Sequence, residues 1–466
     1  MKYFHGRRYF RMLGVLALAA LLLSAGAQAA VPPATVLWTL PDTGPGNDGN
    51  YTAVAALGAN VYAAASQTNT YGGHEVVVRR LDITNQKVVW EKTFNLGNYG
   101  DPNHVYPTSI AVSGSKVYVA GWGVVGGVKS VFVQALDTGG KKGTAIWPAP
   151  YLFEAPGIHT FPYDGKPLVA ALGSKVVLSF NTFDGTFPNG KLVGLNQKTG
   201  VSTWGPIDFA DLPARGQVNA LAIKGSQFAA AGSTFGGVVN KQFLKLRIFS
   251  AVNGGLVKDF NAAGPNPGTS EAYSVAWSGS IIGVAGYMGD GSYKNAYLGM
   301  VTVKGKAISD LVELDQLDVT MGGTNDARFQ FVAVKGPKLY AAGYGPYSDI
   351  PQAAIVAGYD PKADPKRVWL NVFGSYSMAC MGMTVAKTGV YVAGIQDTGV
   401  PGHREWWARA FNLDLSDKWE DWFLLNSGIY SATAGIAASS KSIVAVGTAR
   451  DGTAGYYNKV VRAYAP

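Results

Sequence analysis

The sequence predicts an all-β chain: an eight-bladed β-propeller of four-stranded antiparallel blades, its ring closed by an N-terminal strand at residues 34–40. Three observations lead there. A short segment recurs eight times at near-constant spacing. The composition favours short strands and turns, with 60 glycines, 24 tyrosines and only 15% charged residues. The two ends of the chain also look incomplete in complementary ways.

The repeat is clearest as "AVSGSKVYVAG" at 111–121, and returns as "AIKGSQFAAAG", "AWSGSIIGVAG", "AVKGPKLYAAG" and "TVAKTGVYVAG". Looser copies are "AALGANVYAAA", "AALGSKVVLSF" and "AASSKSIVAVG". The copies end at 65, 121, 180, 232, 286, 343, 394 and 447, with spacings between 51 and 59 residues.

Each copy reads as a strand, a two-residue turn such as Gly114-Ser115, and a second strand with apolar alternation. A third strand follows, for example "VFVQALD" ending at Asp137, then a fourth after a tight turn, for example "TAIW" ending at Trp147. Apolar residues on both faces require a neighbour on each side, which a ring of blades supplies. The last copy stops after its third strand, "KVVRAYAP", while "ATVLWTL" at 34–40 matches the fourth-strand segment "KVVWEKTF" at 87–94. The first segment is therefore expected to complete the last blade and leave no open edge.

Residues 1–29 read as an export signal. Lys2, Arg7, Arg8 and Arg11 form a basic head, Met12 to Leu23 an apolar run, and Ala27-Gln28-Ala29 a small-x-small cleavage site. The run is short for a membrane span. "RRYFRM" leaves the export route open, and no cysteine stands near the cleavage site to carry a lipid. The mature chain, 30–466, reads as a single domain. Removing the signal's four basic residues leaves 35 basic against 30 acidic, a mild +5 with no basic run to track phosphates, so nucleic acid is not the expected partner. Cys380 stands alone, so no internal disulfide can form, and it reads as a small buried hydrophobe. No C-x-x-C-H haem site is present.

Fourth-strand tryptophans recur at Trp38, Trp90, Trp147, Trp204 and Trp369, and at Trp419 or Trp422. A flat ring there is expected to dock over the turn of the adjacent blade, as a structural device. With "GLNQKTGVSTW" at 194–204, and more loosely "RLDITNQKVVW" and "ALDTGGKKGTAIW", the chain resembles the PQQ-like, or tryptophan-docking, β-propeller repeat. The resemblance covers nearly all of the mature chain. It implies a fold shared by quinoprotein dehydrogenases and by cofactor-free propellers, among them an outer-membrane assembly lipoprotein. The enzymes carry an adjacent cysteine pair and a calcium site with a catalytic acid; a lone Cys380 cannot supply the pair, so the cofactor-free branch is expected, with no PQQ or calcium. With the four strands of a blade lettered A to D from first to fourth, the longer B–C loops are similar to those of secreted bacterial β-propeller repeat proteins.

Topology sends the B–C loops and blade connections to one face, and the short A–B and C–D turns to the other. The first set is long, as in "QTNTYGGHE", "NTFDGTFPNGK" and "QDTGVPGHRE", so this elaborated face is the expected binding face. Residues entering the innermost strands there should ring the mouth of the central channel: Asn50, Thr52, Tyr106, Thr108, Gln217, Asn219, Glu271, Tyr273, Arg328 and Gln330, with Ala379, Met381, Ala432 and Ala434 as a small or apolar sector. A rim of amides, hydroxyls and aromatic rings suits a neutral polar ligand such as a glycan. Glu271 and Arg328 read as an ordinary solvated ion pair. His74, His104, His159 and His403 show no metal-ligand spacing and read as surface residues. The Asp/Gly segments at 41–50 and 289–292 read as turns rather than calcium loops.

The whole reads as an exported binding or scaffolding protein of the cell envelope, a monomeric ring without a transmembrane segment once its signal is removed, periplasmic or secreted. Its partner is an envelope or extracellular protein, or a glycan. An enzyme on the same scaffold, either a quinone-dependent oxidoreductase or a polysaccharide lyase or hydrolase, is the alternative.

Overall fold

A computed structural model describes residues 31–42, 48–69, 72–96, 104–139, 142–154, 166–183, 187–211, 215–235, 242–264, 269–289, 293–317, 326–347, 350–374, 376–425, 430–450 and 457–466. The export signal, His159 and parts of both Asp/Gly segments lie outside them, as do parts of the long loops. All regular structure among the described residues is β-strand. The strands are β1 (Val36–Asp42), β2 (Gly49–Leu57), β3 (Asn60–Thr68), β4 (His74–Asp82), β5 (Lys87–Phe94), β6 (Val105–Ser113), β7 (Lys116–Val125), β8 (Val128–Asp137) and β9 (Tyr151–Glu154). Next come β10 (Leu168–Leu172), β11 (Lys175–Phe183), β12 (Pro188–Asn196), β13 (Ser202–Asp208), β14 (Arg215–Lys224), β15 (Gln227–Phe235), β16 (Gln242–Ser250) and β17 (Leu256–Ala262). These are followed by β18 (Ser270–Ser278), β19 (Ile281–Gly289), β20 (Lys294–Lys304), β21 (Ala307–Ile308), β22 (Val312–Leu317), β23 (Arg328–Lys335), β24 (Lys338–Tyr347), β25 (Ile350–Tyr359) and β26 (Arg367–Phe373). The chain ends with β27 (Met378–Val385), β28 (Val390–Asp397), β29 (Arg404–Phe411), β30 (Asp417–Phe423), β31 (Tyr430–Ala438), β32 (Ile443–Arg450) and β33 (Tyr457–Tyr464).

The architecture is a β-propeller of four-stranded antiparallel blades. Consecutive strands pair in fours, starting with β2–β5; in one blade β22 takes the fourth place after the short β21, and β31–β33 take β1 as their outer strand. Each blade's first strand touches the first strand of the next, and β31 touches β2. The apolar core lies between blades. One cluster joins Tyr118, Val131 and Trp147 to Val176, Leu178 and Val193; another joins Tyr51, Val61 and Val77 at the start of the chain to Val444, Val446 and Val461 at its end. Strands covered on both faces explain runs such as Val61 to Ser66, buried throughout. At one edge, single parallel contacts stitch a third strand to the next blade's first strand, as at His74↔His104, Asn189↔Gly216, Gln242↔Thr269, Lys294↔Asp326 and Arg404↔Tyr430.

The tryptophans dock as the repeat implied. The Trp147 ring lies on Gly200 of the next blade's turn, so close that a Cβ there would sit 2.7 Å from it, and its Nε1 donates to Gln197 O at 3.0 Å. Trp90 lies on Gly143 and Trp204 on Gly254 in the same way. These turn residues have positive φ, 75° at Gly200, which only glycine adopts without strain. Trp38 packs in the cluster at the chain's seam, beside a turn whose positive-φ residue is Gln86; Trp369 packs with Leu413 and Leu415, the latter at φ 66°. Between the two candidates after β29, Trp419 docks: it is buried and stacked on Tyr464 at 5.0 Å, whereas Trp422 is 41% exposed.

One expected strand is corrected. "TAIW" forms a single bridge, Ala145↔Leu136, and the outer strand of that blade is β9, four residues beyond Trp147. Pro148 and Pro150 lie between; proline has no N–H for the ladder, so pairing starts at the turn, stops, and resumes at Tyr151.

The seam closes where the sequence places it, with β1 paired to β33 from Val36↔Tyr464 to Asp42↔Lys459, two residues later at each end than residues 34–40. It is also ionic. Arg79 on β4 meets Asp42 and Glu91, each at 2.6 Å, and donates to Tyr51 Oη at 2.8 Å; Lys459 reaches Asp42 at 3.1 Å. Burial pushes the Asp42 carboxyl up, but Arg79 and Lys459 outweigh it and hold the group below its usual range. Arg247, Arg409 and Arg462 occupy the same third-strand place and pair with Asp211 and Asp259, with Asp417, and with Asp421. An arginine in a blade's interior must find a carboxylate on the neighbouring strand or blade, since an unpaired buried charge is costly.

Candidate functional site

The candidate rim residues share one backbone device. In β2, β6, β14, β18, β23, β27 and β31 the ladder shifts register at the same place, leaving one extra residue: Thr52, Thr108, Asn219, Tyr273, Gln330, Met381 and Ala434. Each stands thirteen residues before the last residue of its repeat copy. Such bulges bend a strand and re-aim the side chain they carry. In the remaining blade, β10 pairs without a shift, and the equivalent place holds Pro167, whose carbonyl accepts from Thr108 Oγ1 at 2.5 Å.

The bulge also accounts for the glycine that ends most repeat copies. A Cβ on Gly121, Gly232, Gly286, Gly343, Gly394 or Gly447 would lie 1.8 to 2.1 Å from the carbonyl oxygen of Tyr106, Gln217, Glu271, Arg328, Ala379 or Ala432. Those carbonyls belong to the second set of rim candidates, two residues before each bulge. Ala65 stands in that place in the first blade, where the bulge is also present.

Across the ladder, this second set pairs with the residue that follows each repeat copy: Asn50↔Ser66, Tyr106↔Trp122, Gln217↔Ser233, Glu271↔Tyr287, Arg328↔Tyr344, Ala379↔Ile395 and Ala432↔Thr448. Trp122, Tyr287 and Tyr344 thus stand across the ladder from candidate rim residues, and the sequence reading did not name them. Their signal was in plain view, one position past the motif glycine.

The structure brings the candidates into two groups. In the first, Glu271 is 6% exposed and accepts hydrogen bonds from Gln217 Nε2, from Asn219 Nδ2 at 2.7 Å and from Tyr287 Oη at 3.4 Å. Arg328 Nη1 donates to Tyr273 Oη at 3.1 Å, and its guanidinium lies over the rings of Tyr344, Tyr273 and Tyr287 at 5.0, 5.7 and 5.8 Å. Asp326 lies 3.7 Å from Arg328 and 3.3 Å from Lys294. The expected solvated Glu271–Arg328 pair gives way to a partly buried network running through Tyr273 and Tyr287, because the bulges draw three neighbouring first strands' side chains together. Burial first, and then the Glu271 charge, push both tyrosine hydroxyls far above their ordinary range, so both remain protonated donors. Asn219 Oδ1, Gln330 Oε1 and Arg328 Nε are buried with no hydrogen-bond partner among the described residues.

In the second group, Tyr106 packs on Trp122 at 4.7 Å and on His74 at 5.0 Å, and His74 on His104 at 5.3 Å. Burial and then the neighbouring His104 hold His74 below the usual histidine range. His74 is therefore half-buried among tilted rings rather than a surface residue; the parallel contact with His104 puts it there. Asn50 is exposed, and Thr52 donates to Ala64 O at 3.3 Å within its own hairpin.

Cys380 is buried, its Sγ donates to Gly343 O at 3.0 Å, and burial pushes its thiol up to about 12. Among the described residues no three His, Cys, Asp or Glu side chains converge as a metal site.

No protein-family model and no curated protein matches the sequence. Solved structures do match. Sqt1 of Chaetomium thermophilum, bound to the N-terminus of the ribosomal protein L10, aligns over 93% of this chain and 100% of its own, with a TM-score of 0.53 and 13% identity. A quinohemoprotein alcohol dehydrogenase from Pseudomonas putida HK5 aligns over 92% of this chain and 76% of its own, with a TM-score of 0.50 and 10% identity. A europium-containing methanol dehydrogenase aligns over 92% and 93%, with a TM-score of 0.50 and 11% identity. At such identities the likeness is one of fold: protein-binding propellers and dehydrogenases share it.

Proposed function

We propose that this chain is an exported binding protein of the cell envelope, a single eight-bladed ring that holds a polar partner at the channel mouth on its loop-bearing face. The count of eight is supported by the repeat copies and by the run of first-strand contacts that returns from β31 to β2. One observation carries the functional reading. Seven first strands spend a register shift on the same position, and in five of them that position or its neighbour two residues back carries an amide, hydroxyl, aromatic or charged group. A repeated distortion of the ladder in a fold held by that ladder points to a use for the side chains it aims.

The partner is a glycan or an envelope protein, and no resident cofactor is part of the reading. Mature protein beginning at Ala30 is to be tested on a glycan array and against envelope proteins, alongside Asn219→Ala and Tyr106→Ala. Binding that either substitution weakens supports the rim as the site. Binding unchanged in both, or no binding at all, defeats the proposal. N-terminal sequencing of exported protein is expected to begin at Ala30.

A further inference from the structure

We propose that the rim formed by β18, β20 and β23 is a carboxylate-binding subsite that takes a uronic-acid residue of an acidic glycan. The inference rests on the rim reading above and narrows its ligand class.

Charge divides this network by depth. The carboxylate of Glu271 is buried and engaged by Gln217, Asn219 and Tyr287. The cations are the accessible members: the side chains of Arg328 and Lys294 are 21% and 32% exposed. Among the described residues Asp326 is the one carboxylate in ion-pair range of both, and at 3.7 Å from Arg328 it makes no hydrogen bond to the guanidinium. Two cations thus share one exposed counter-charge, and an anion arriving here replaces little.

The form of the cation selects the anion. A guanidinium is a planar fork that matches a carboxylate with two parallel N–H···O bonds. The hydrogen bond to Tyr273 and the rings of Tyr273, Tyr287 and Tyr344 hold Arg328 in place, so little freedom is lost on binding, and the fork is offered end-on through Nη1 and Nη2, the latter 3.7 Å from Asp326. The Tyr273 hydroxyl accepts from Arg328 and keeps its own proton to give. Beside the fork stand the half-buried rings of Tyr273 and Tyr344, apolar edges for the C–H surface of a pyranose, and the exposed Asp326 carboxylate to accept a sugar hydroxyl. A lone charge would suit any anion; a fork walled by aromatic rings and flanked by a hydroxyl acceptor suits a sugar acid.

The test is calorimetric titration of the mature protein with tetragalacturonate, with the same oligomer after reduction of its carboxyls to alcohols, and with a poly-aspartate peptide of similar charge. Tetragalacturonate is expected to bind at least about tenfold tighter than either other probe, a difference of about 1.4 kcal/mol. Arg328→Lys, which keeps the charge and loses the fork, is expected to remove that preference, as is Arg328→Met; a melting curve checks that each is folded. Equal binding of the reduced oligomer overturns the uronate subsite while leaving a glycan-binding rim standing. Equal binding of poly-aspartate, or an unchanged preference in Arg328→Lys, also overturns it. Binding of none of the three probes overturns it as well, and the array then decides the broader reading separately.

Discussion

Arg79 on the third strand of the first complete blade holds Asp42 on the N-terminal strand at 2.6 Å, so one guanidinium ties the start of the chain into the ring. Glu91, Tyr51 and Lys459 complete the cluster, which spans strands from both ends of the sequence. Arg79→Met leaves Asp42 with Lys459 alone and is expected to cost about 3 kcal/mol, the usual consequence of breaking a buried pair. Thermal melts of the two proteins check it; an unchanged midpoint would show that β1 is held by its ladder alone.

The same cluster makes stability depend on acid. Asp42 is held below its ordinary value of 3.8 in the folded ring, so its contribution is full above that value and is lost as pH falls through the lower folded one. Asp42→Asn is expected to lower the melting midpoint at neutral pH and to flatten its decline between about pH 4 and 2. Parallel acid limbs in the two proteins would exclude Asp42 as a source of that dependence.

The motif glycines on the second strands should be sharply unequal to a glycine on a first strand. A Cβ at Gly286 meets the Glu271 carbonyl at 1.8 Å, and backbone cannot step aside as a side-chain tip can; Gly286→Ala is expected to destabilise by about 3 kcal/mol. At Gly435 the nearest atom is 3.4 Å away, so Gly435→Ala should change stability by less than about 0.5 kcal/mol. Denaturant titration separates the two, and similar values for both would refute the account of the bulge.

Tryptophan docking carries a second packing prediction. Trp147 is fully buried between two blades, and Trp147→Ala should cost about 4 kcal/mol. Gly200→Ala reaches the same contact from the other side, adding a Cβ 2.7 Å from the indole at φ 75°. If the double variant is no worse than Trp147→Ala by more than the backbone cost of about 1 kcal/mol, the two residues form one contact.

Cys380 is expected to be inert in the native protein. Buried, with its thiol pushed up to about 12, it should resist a thiol reagent at about pH 8 and react at once in denaturant. Rapid native labelling would mean that its blade opens.

Much of this protein was legible in the sequence because its repeat is local. A two-residue turn, an apolar alternation and a glycine at fixed places report on residues that are neighbours in the chain, and the unpaired ends at "ATVLWTL" and "KVVRAYAP" exposed the closure. The failed strand "TAIW" was legible as well, in Pro148 and Pro150. Counting back from the end of each repeat copy lands on the bulged position of seven first strands. What the sequence could not display is what lies across a ladder or between blades: that Tyr287 and Tyr344 face Glu271 and Arg328, that Glu271 is buried while Arg328 is only half-buried, and that four third-strand arginines find carboxylates on other strands or blades. Those pairings depend on one extra residue bending each inner strand and on the angle at which blades meet. Such distances are set by three-dimensional packing and leave no period in the chain.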